Sequence, residues 1–101
     1  MSDRRPVEVG GVAYELDPQP VRTSLSDDQT MLWGLEVHVL RDGHRLGVKT
    51  CFVGRVSVQF RDPEALDRPV DELAPVLQEL AIEKITSRLE EGETGDEILF
   101  I

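Results

Sequence analysis

Apolar and polar residues alternate with period two at 31–41 and at 45–60, on either side of Asp42-Gly43. Alternation of this kind is typical of strands with one buried face, and Asp-Gly favours a type I′ turn because both central residues need positive φ. The two stretches therefore predict a long β-hairpin. A two-residue loop at this turn sets Trp33 opposite Phe52 and Glu36 opposite Lys49.

The predicted hairpin has one apolar face and one polar face. The apolar face carries Met31, Trp33, Leu35, Val37, Val39, Leu46, Val48, Phe52, Val56, Val58 and Phe60. The polar face carries Glu36, His38, Arg45, Lys49, Arg55, Ser57 and Gln59. Because so large an apolar face needs a second layer over it, the pattern predicts one-sided burial.

Residues 72–91 have helical periodicity and predict the covering helix, with Asp71 as its N-cap and Pro75 in its first turn. Gly92 follows the helix. One side is apolar and holds Leu73, Ala74, Leu77, Leu80, Ala81, Ile85 and Leu89. The opposite side holds an acidic ridge formed by Glu72, Glu79, Glu83 and Glu90.

Three shorter segments complete the prediction. Residues 7–16 alternate around a glycine pair, which predicts a hairpin or a strand with a bulge, and residues 21–25 predict a brief edge strand. Residues 97–101 predict a last strand. That strand has three possible places: its own sheet, a second copy of the chain, or an exposed edge open to another protein.

These elements predict a single α+β domain over residues 1–101. Its architecture is two-layer, with an antiparallel sheet of four or five strands and one long helix packed on one face.

The charge is unevenly distributed. The chain has a net charge of −9 from 20 acidic and 11 basic residues, and the first 61 residues contribute equal numbers of both signs. The whole excess of negative charge therefore falls in residues 62–101, and this part of the chain would repel a phosphate backbone. The first 61 residues contain no basic run. Nucleic-acid binding is not expected. Arginine predominates over lysine and asparagine is absent, which suggests a GC-rich bacterial genome.

No apolar run reaches the length of a membrane span, and the first residues lack the apolar core of a signal peptide. The chain has one cysteine, so an internal disulfide is impossible. These features predict a cytoplasmic protein. No metal site and no cofactor are predicted, because ligand-spaced clusters are missing from the sequence.

Cys51 and His38 are the pair that nucleophilic catalysis would need. In the predicted register they are about 13 Å apart along the hairpin, which is too far for a dyad. The sequence therefore predicts no catalytic residue. An enzyme with its site in the loop 21–30 stays an alternative that no residue spacing supports.

Lys84 and Arg88 lie within the apolar side of the predicted helix. One interpretation is that this helix end overhangs the sheet and that their stems cover apolar surface. The other is that they meet an anion. A small-molecule binding protein, with a pocket for an anionic metabolite between sheet and helix near Trp33, Tyr14 and these two cations, is therefore the second functional hypothesis.

The leading hypothesis is a non-catalytic protein-interaction or oligomerisation module, most simply a homodimer. The acidic ridge would suit a partner protein with a basic surface, since its mutual repulsion has no compensation within the helix. Leu32 and Val53, with Gly34 and Cys51, form a small apolar spot on the polar face of the predicted hairpin. That spot would suit self-association.

Overall fold

The computed structural model of the chain describes residues 4–26 and 31–101. The predicted loop at 21–30 therefore falls partly outside the described residues. The strands are β1 (Arg5–Val9), β2 (Val12–Pro18), β3 (Thr23–Ser26), β4 (Met31–Arg41), β5 (His44–Gly54) and β6 (Glu97–Phe100). The helices are α1 (Arg55–Arg61) and α2 (Val70–Glu90), with a short 3-10 turn at Ala65–Asp67 between them.

The strands form one open sheet in the order β1-β2-β4-β5-β6, and β3 pairs with β4 beyond the end of β2. Every pairing is antiparallel except that of β5 with β6, which is parallel. Helix α2 packs on one face of the sheet. The predicted α+β fold is confirmed, and the last strand joins the sheet of its own chain.

Two N-terminal strands, β2 and β3, pair one after the other with the same side of β4, and β1 pairs with β2. Gly10 and Gly11 take φ values of +57° and +80° and close a hairpin between β1 and β2. After β2 the ladder is interrupted by prolines, yet the amide of Gln19 still donates to the carbonyl of Glu36 at 2.8 Å. The amide of Arg22 donates to Gly34 at 2.9 Å, and β3 then resumes the pairing.

The turn at Asp42-Gly43 is where the sequence predicted it, with φ values of +53° and +79°. Next to the turn Leu40 pairs with Arg45, but one step further Val39 pairs with Gly47. Leu46 is the extra residue of a β-bulge, which shifts the register of the rest of β5 by one. The predicted pairing of Trp33 with Phe52 is therefore wrong, since Trp33 pairs with Val53.

This shift turns β5 over. Because side chains alternate between the two faces of a strand, a shift of one residue exchanges them. Lys49, Cys51 and Val53 point to the α2 side and are fully buried, whereas Val48 and Phe52 point to the opposite side. Glu36 faces Thr50 instead of Lys49. The face of β4 was predicted correctly, and its buried residues are Trp33, Leu35, Val37 and Val39.

The strand predicted to reach residue 60 ends at Gly54, and residues 55–61 form α1. Gly54 pairs with Leu32 near the start of β4 and donates its amide to Ile101, just past the end of β6. Beyond this point a strand would lack neighbours for its backbone groups, and a helix satisfies them internally. Of the three apolar residues of α1, Val58 is buried, while Val56 and Phe60 are 64% and 87% exposed.

Helix α2 begins at Val70, two residues before the predicted start, and its N-cap is Pro69 instead of Asp71. Pro75 is therefore its sixth residue and lies inside the helix, where it removes one backbone hydrogen bond. The predicted apolar side is confirmed. Its buried members are Leu73, Leu77, Leu80, Ala81, Ile85 and Leu89.

The close approach of residues 95–96 to β5 requires a glycine at position 47. A β-carbon there would lie 2.5 Å from the carbonyl carbon of Gly95 and 2.8 Å from the amide nitrogen of Asp96. We expect Gly47→Ala to lower the free energy of unfolding by about 1–3 kcal/mol, because backbone must move aside. Urea denaturation measures the change. Gly95→Ala is the control, since its β-carbon meets nothing within 4 Å; equal effects of the two substitutions would contradict the close approach.

Candidate interaction surface

One face of the sheet is uncovered among the described residues. Helix α2 and the buried side chains of α1 and the 3-10 turn all join the core on the other side. We call the uncovered side the outer face. It carries Leu32, Gly34, Glu36 and His38 from β4, Val48, Thr50 and Phe52 from β5, and Ile98 and Phe100 from β6.

Three apolar residues on this face form what we call the β5–β6 patch: Phe52, Ile98 and Phe100. The rings of Phe52 and Phe100 stack with their centroids 5.5 Å apart. Phe100 is 72% exposed and Ile98 is 65% exposed. Large apolar side chains exposed side by side are typical of a surface that contacts another molecule.

The apolar spot predicted from Leu32, Gly34, Cys51 and Val53 does not exist as one surface. The bulge moves Cys51 and Val53 to the core side, where Val53 is fully buried. Leu32 and Gly34 stay on the outer face. The prediction of Val53 as a partner-binding residue is therefore wrong, and Phe52 takes its place on the accessible side. Cys51 and Val53 are apolar residues on a face of β5 that was predicted to be polar. Their presence there was the signal in the sequence for the bulge.

Lys49 is the most unusual residue of the core side, because a lysine is rarely buried unless it is paired. Its side chain has no exposed surface, and Nζ lies 2.6 Å from both Oε1 of Glu97 and the carbonyl oxygen of Glu93. Arg88 donates from Nη2 to the other oxygen of Glu97 at 2.7 Å. The three side chains join β5, β6 and the last turn of α2, so they fasten β6 to the rest of the fold.

The two cations lower the pKa of Glu97 from its ordinary value of 4.5 to about 2. The hydrogen bond from Arg88 contributes most and the bond from Lys49 comes next. The charged form is favoured because both carboxylate oxygens accept hydrogen bonds from cations, and these bonds outweigh the partial burial of the group, which by itself raises the pKa.

The anion predicted for Arg88 is supplied by its own chain, since Arg88 bonds to Glu97 and also to Glu91. Lys84 is exposed on α2. Trp33 is buried in the core and Tyr14 is half-buried. The strand register places these aromatic residues eight positions apart, or about 27 Å. The structure does not bring the predicted ligand-binding residues together.

The acidic ridge on α2 is partly compensated by α1, an element that the sequence did not predict. Arg61 forms an ion pair with Glu83, and this bond lowers the pKa of the Glu83 carboxyl. Glu72, Glu79 and Glu90 are exposed. The basic partner for this ridge stays a prediction.

Cys51 and His38 lie on opposite faces of the sheet, so they cannot form a dyad. Burial raises the pKa of the Cys51 thiol to about 12, which keeps it protonated and unreactive. On the outer face, Nε2 of His38 is 4.0 Å from Glu36 and its cross-strand neighbour is Asp17. Across residues 4–26 and 31–101, the side chains form no group of three or more metal-ligating residues.

Replacing Lys49 tests whether its two bonds stabilise the fold. We expect Lys49→Met to lower the free energy of unfolding by about 1–3 kcal/mol, because Glu97 and the carbonyl of Glu93 each lose a buried donor. Chemical denaturation followed by tryptophan fluorescence measures the loss. Lys84→Met changes an exposed lysine in the same way and is the control. A Lys49→Met protein as stable as this control would contradict the role of the bonds.

The low pKa of Glu97 predicts that the free energy of unfolding decreases at acidic pH. Since the folded pKa is about 2 and the unfolded one is near 4.5, the contribution is complete above pH 4.5 and is lost as the pH falls towards 2. We expect Glu97→Gln to reduce the slope of unfolding free energy against pH in that window. Glu79→Gln, at an exposed position on α2, should leave the slope unchanged. A slope that is the same in both variants would refute the assignment.

No protein-family model, curated protein sequence or solved structure matches this chain. None of the helices in the described part of the chain has the length and apolar character to cross a membrane.

Proposed function

We propose that the protein is a non-catalytic interaction module that self-associates through the β5–β6 patch. The observation that carries the proposal is the exposure of Phe100 and Ile98 beside the ring of Phe52, on a face that no described element covers. Burial of exposed apolar area is the main favourable term in protein association, at roughly 25 cal/mol per Å².

The distribution of charge supports a second copy as the partner. A chain of net charge −9 repels its own kind, so association needs a contact that keeps the acidic surfaces apart. The patch has no charged side chain, and the exposed glutamates of the acidic ridge lie on the far side of α2 from the sheet. Two copies that meet through their outer faces or β6 edges hold these ridges farther apart than the ~8 Å over which salt screens charge.

The compartment proposed for this module is the bacterial cytoplasm. Cys51 is free and buried, and such a thiol persists unmodified in a reducing compartment. The bacterial origin rests on the preference for arginine over lysine in the composition.

The proposal is tested by charge substitution in the patch. We expect the wild-type chain to dimerise with rising concentration in sedimentation velocity, and Phe100→Glu to weaken the dimer at least about tenfold, because it places two like charges in the contact. Phe60→Glu is the matched control, since Phe60 is 87% exposed but lies on α1. A wild-type chain that stays monomeric, or equal effects of the two substitutions, would overturn the proposal.

A further inference from the structure

The two ends of the main strand path differ in how they are protected. β1 is one end and carries Arg5, Pro6 and Glu8, which are residues that discourage the addition of another strand. β6 is the other end, and from Ile98 onward its sequence is Ile-Leu-Phe-Ile, without charge, proline or glycine. An unprotected apolar edge of this kind is a template for strand pairing.

The hydrogen bonds of Ile101 show which backbone groups of β6 have no partner among the described residues. Ile101 donates its amide to Phe52 at 2.9 Å and accepts from Gly54 at 2.8 Å, so both its groups point to β5. In an extended strand these directions alternate from residue to residue, and Leu99 therefore also faces β5. The N–H and C=O groups of Ile98 and Phe100 point away from β5, to an edge that no described strand occupies.

We infer that β6 pairs with β6 of a second copy in antiparallel orientation, with Leu99 on the two-fold axis. This inference rests on the proposed self-association and specifies its geometry. Each Ile98 lies opposite Phe100 of the second copy, and each such pair exchanges two N–H···O hydrogen bonds. Four free donors and four free acceptors are satisfied together, and the two sheets become one continuous sheet.

Side chains agree with this register. Ile98 and Phe100 both project from the outer face, so pairing extends the β5–β6 patch of one copy into that of the other as a shared apolar surface. The two-fold axis through Leu99 uses the β6 edge of both copies at once, and this gives a closed dimer.

Amide hydrogen exchange of the wild-type chain tests the pairing directly. We expect the amides of Ile98 and Phe100 to exchange fast in dilute solution and to slow as the dimer forms, because their hydrogens become bonded to the second copy. The amide of Ile101, which is bonded within the chain, is the internal reference and should not respond to concentration in this way.

A matched pair of variants separates edge pairing from contact through side chains alone. Ile98→Ala and Ile98→Pro both remove the apolar side chain, but only proline also removes the N–H at the edge, and this N–H is not used in pairing with β5. We expect the dimer dissociation constant of Ile98→Pro to exceed that of Ile98→Ala about thirtyfold, since two hydrogen bonds are lost per dimer. Circular dichroism of each monomer establishes that both variants are folded.

The outcomes distinguish this inference from the proposed function. A dimer in which the amides of Ile98 and Phe100 exchange as in the monomer would overturn edge pairing and retain self-association through the outer face. Protection of these amides at every concentration would also overturn it, because the edge would then be occupied within one chain. A chain that stays monomeric overturns both proposals and favours a strand from a different protein as the occupant of the edge.

Discussion

The structure depends on one close approach, that of Gly47 to the backbone at Gly95 and Asp96. The loop that follows α2 crosses β5 at this point, and only a residue without a side chain leaves room for it. Because Leu46 is an extra residue in β5, Gly47 pairs with Val39 and lies where the loop approaches the strand. Everything further along β5 takes its orientation from this bulge, because one residue of register exchanges the two faces of a strand.

The exchange of faces places Lys49 in the core, and the groups that bind its charge also hold β6 in place. Lys49 points into the core and still has hydrogen-bond partners for its charged group. The loop at Glu93 supplies a carbonyl oxygen and the first residue of β6 supplies a carboxylate oxygen, each 2.6 Å from Nζ. Arg88 completes the neutralisation from α2. β6 has only four residues, and this partly buried network adds side-chain bonds from the short strand to both β5 and α2, which fix its position at the edge.

The sequence predicted the parts of the fold that periodicity and turn chemistry decide. The long helix and the buried face of β4 follow from the spacing of apolar residues, and the turn at Asp42-Gly43 follows from its residue types. The bulge did not, because Leu46, Val48 and Phe52 favour one orientation of β5, whereas Cys51 and Val53 favour the other, and the contact that decides between them is with residues nearly fifty positions away. Alternation at 55–60 likewise describes a strand, but no neighbouring strand extends far enough to pair with it.

The candidate surface is a consequence of the same shift. Had β5 kept the predicted register, Phe52 would lie under α2 and the outer face would present Lys49, which would set a charge beside Ile98 and Phe100. The bulge instead places the phenylalanine on the uncovered side, where it stacks on Phe100, and removes the charge to the core. An apolar patch thus continues to an edge whose backbone groups at Ile98 and Phe100 have no partner among the described residues. A two-fold contact between strands requires both features. The backbone groups at the edge set the orientation of the two strands, and the apolar side chains supply the area that is buried.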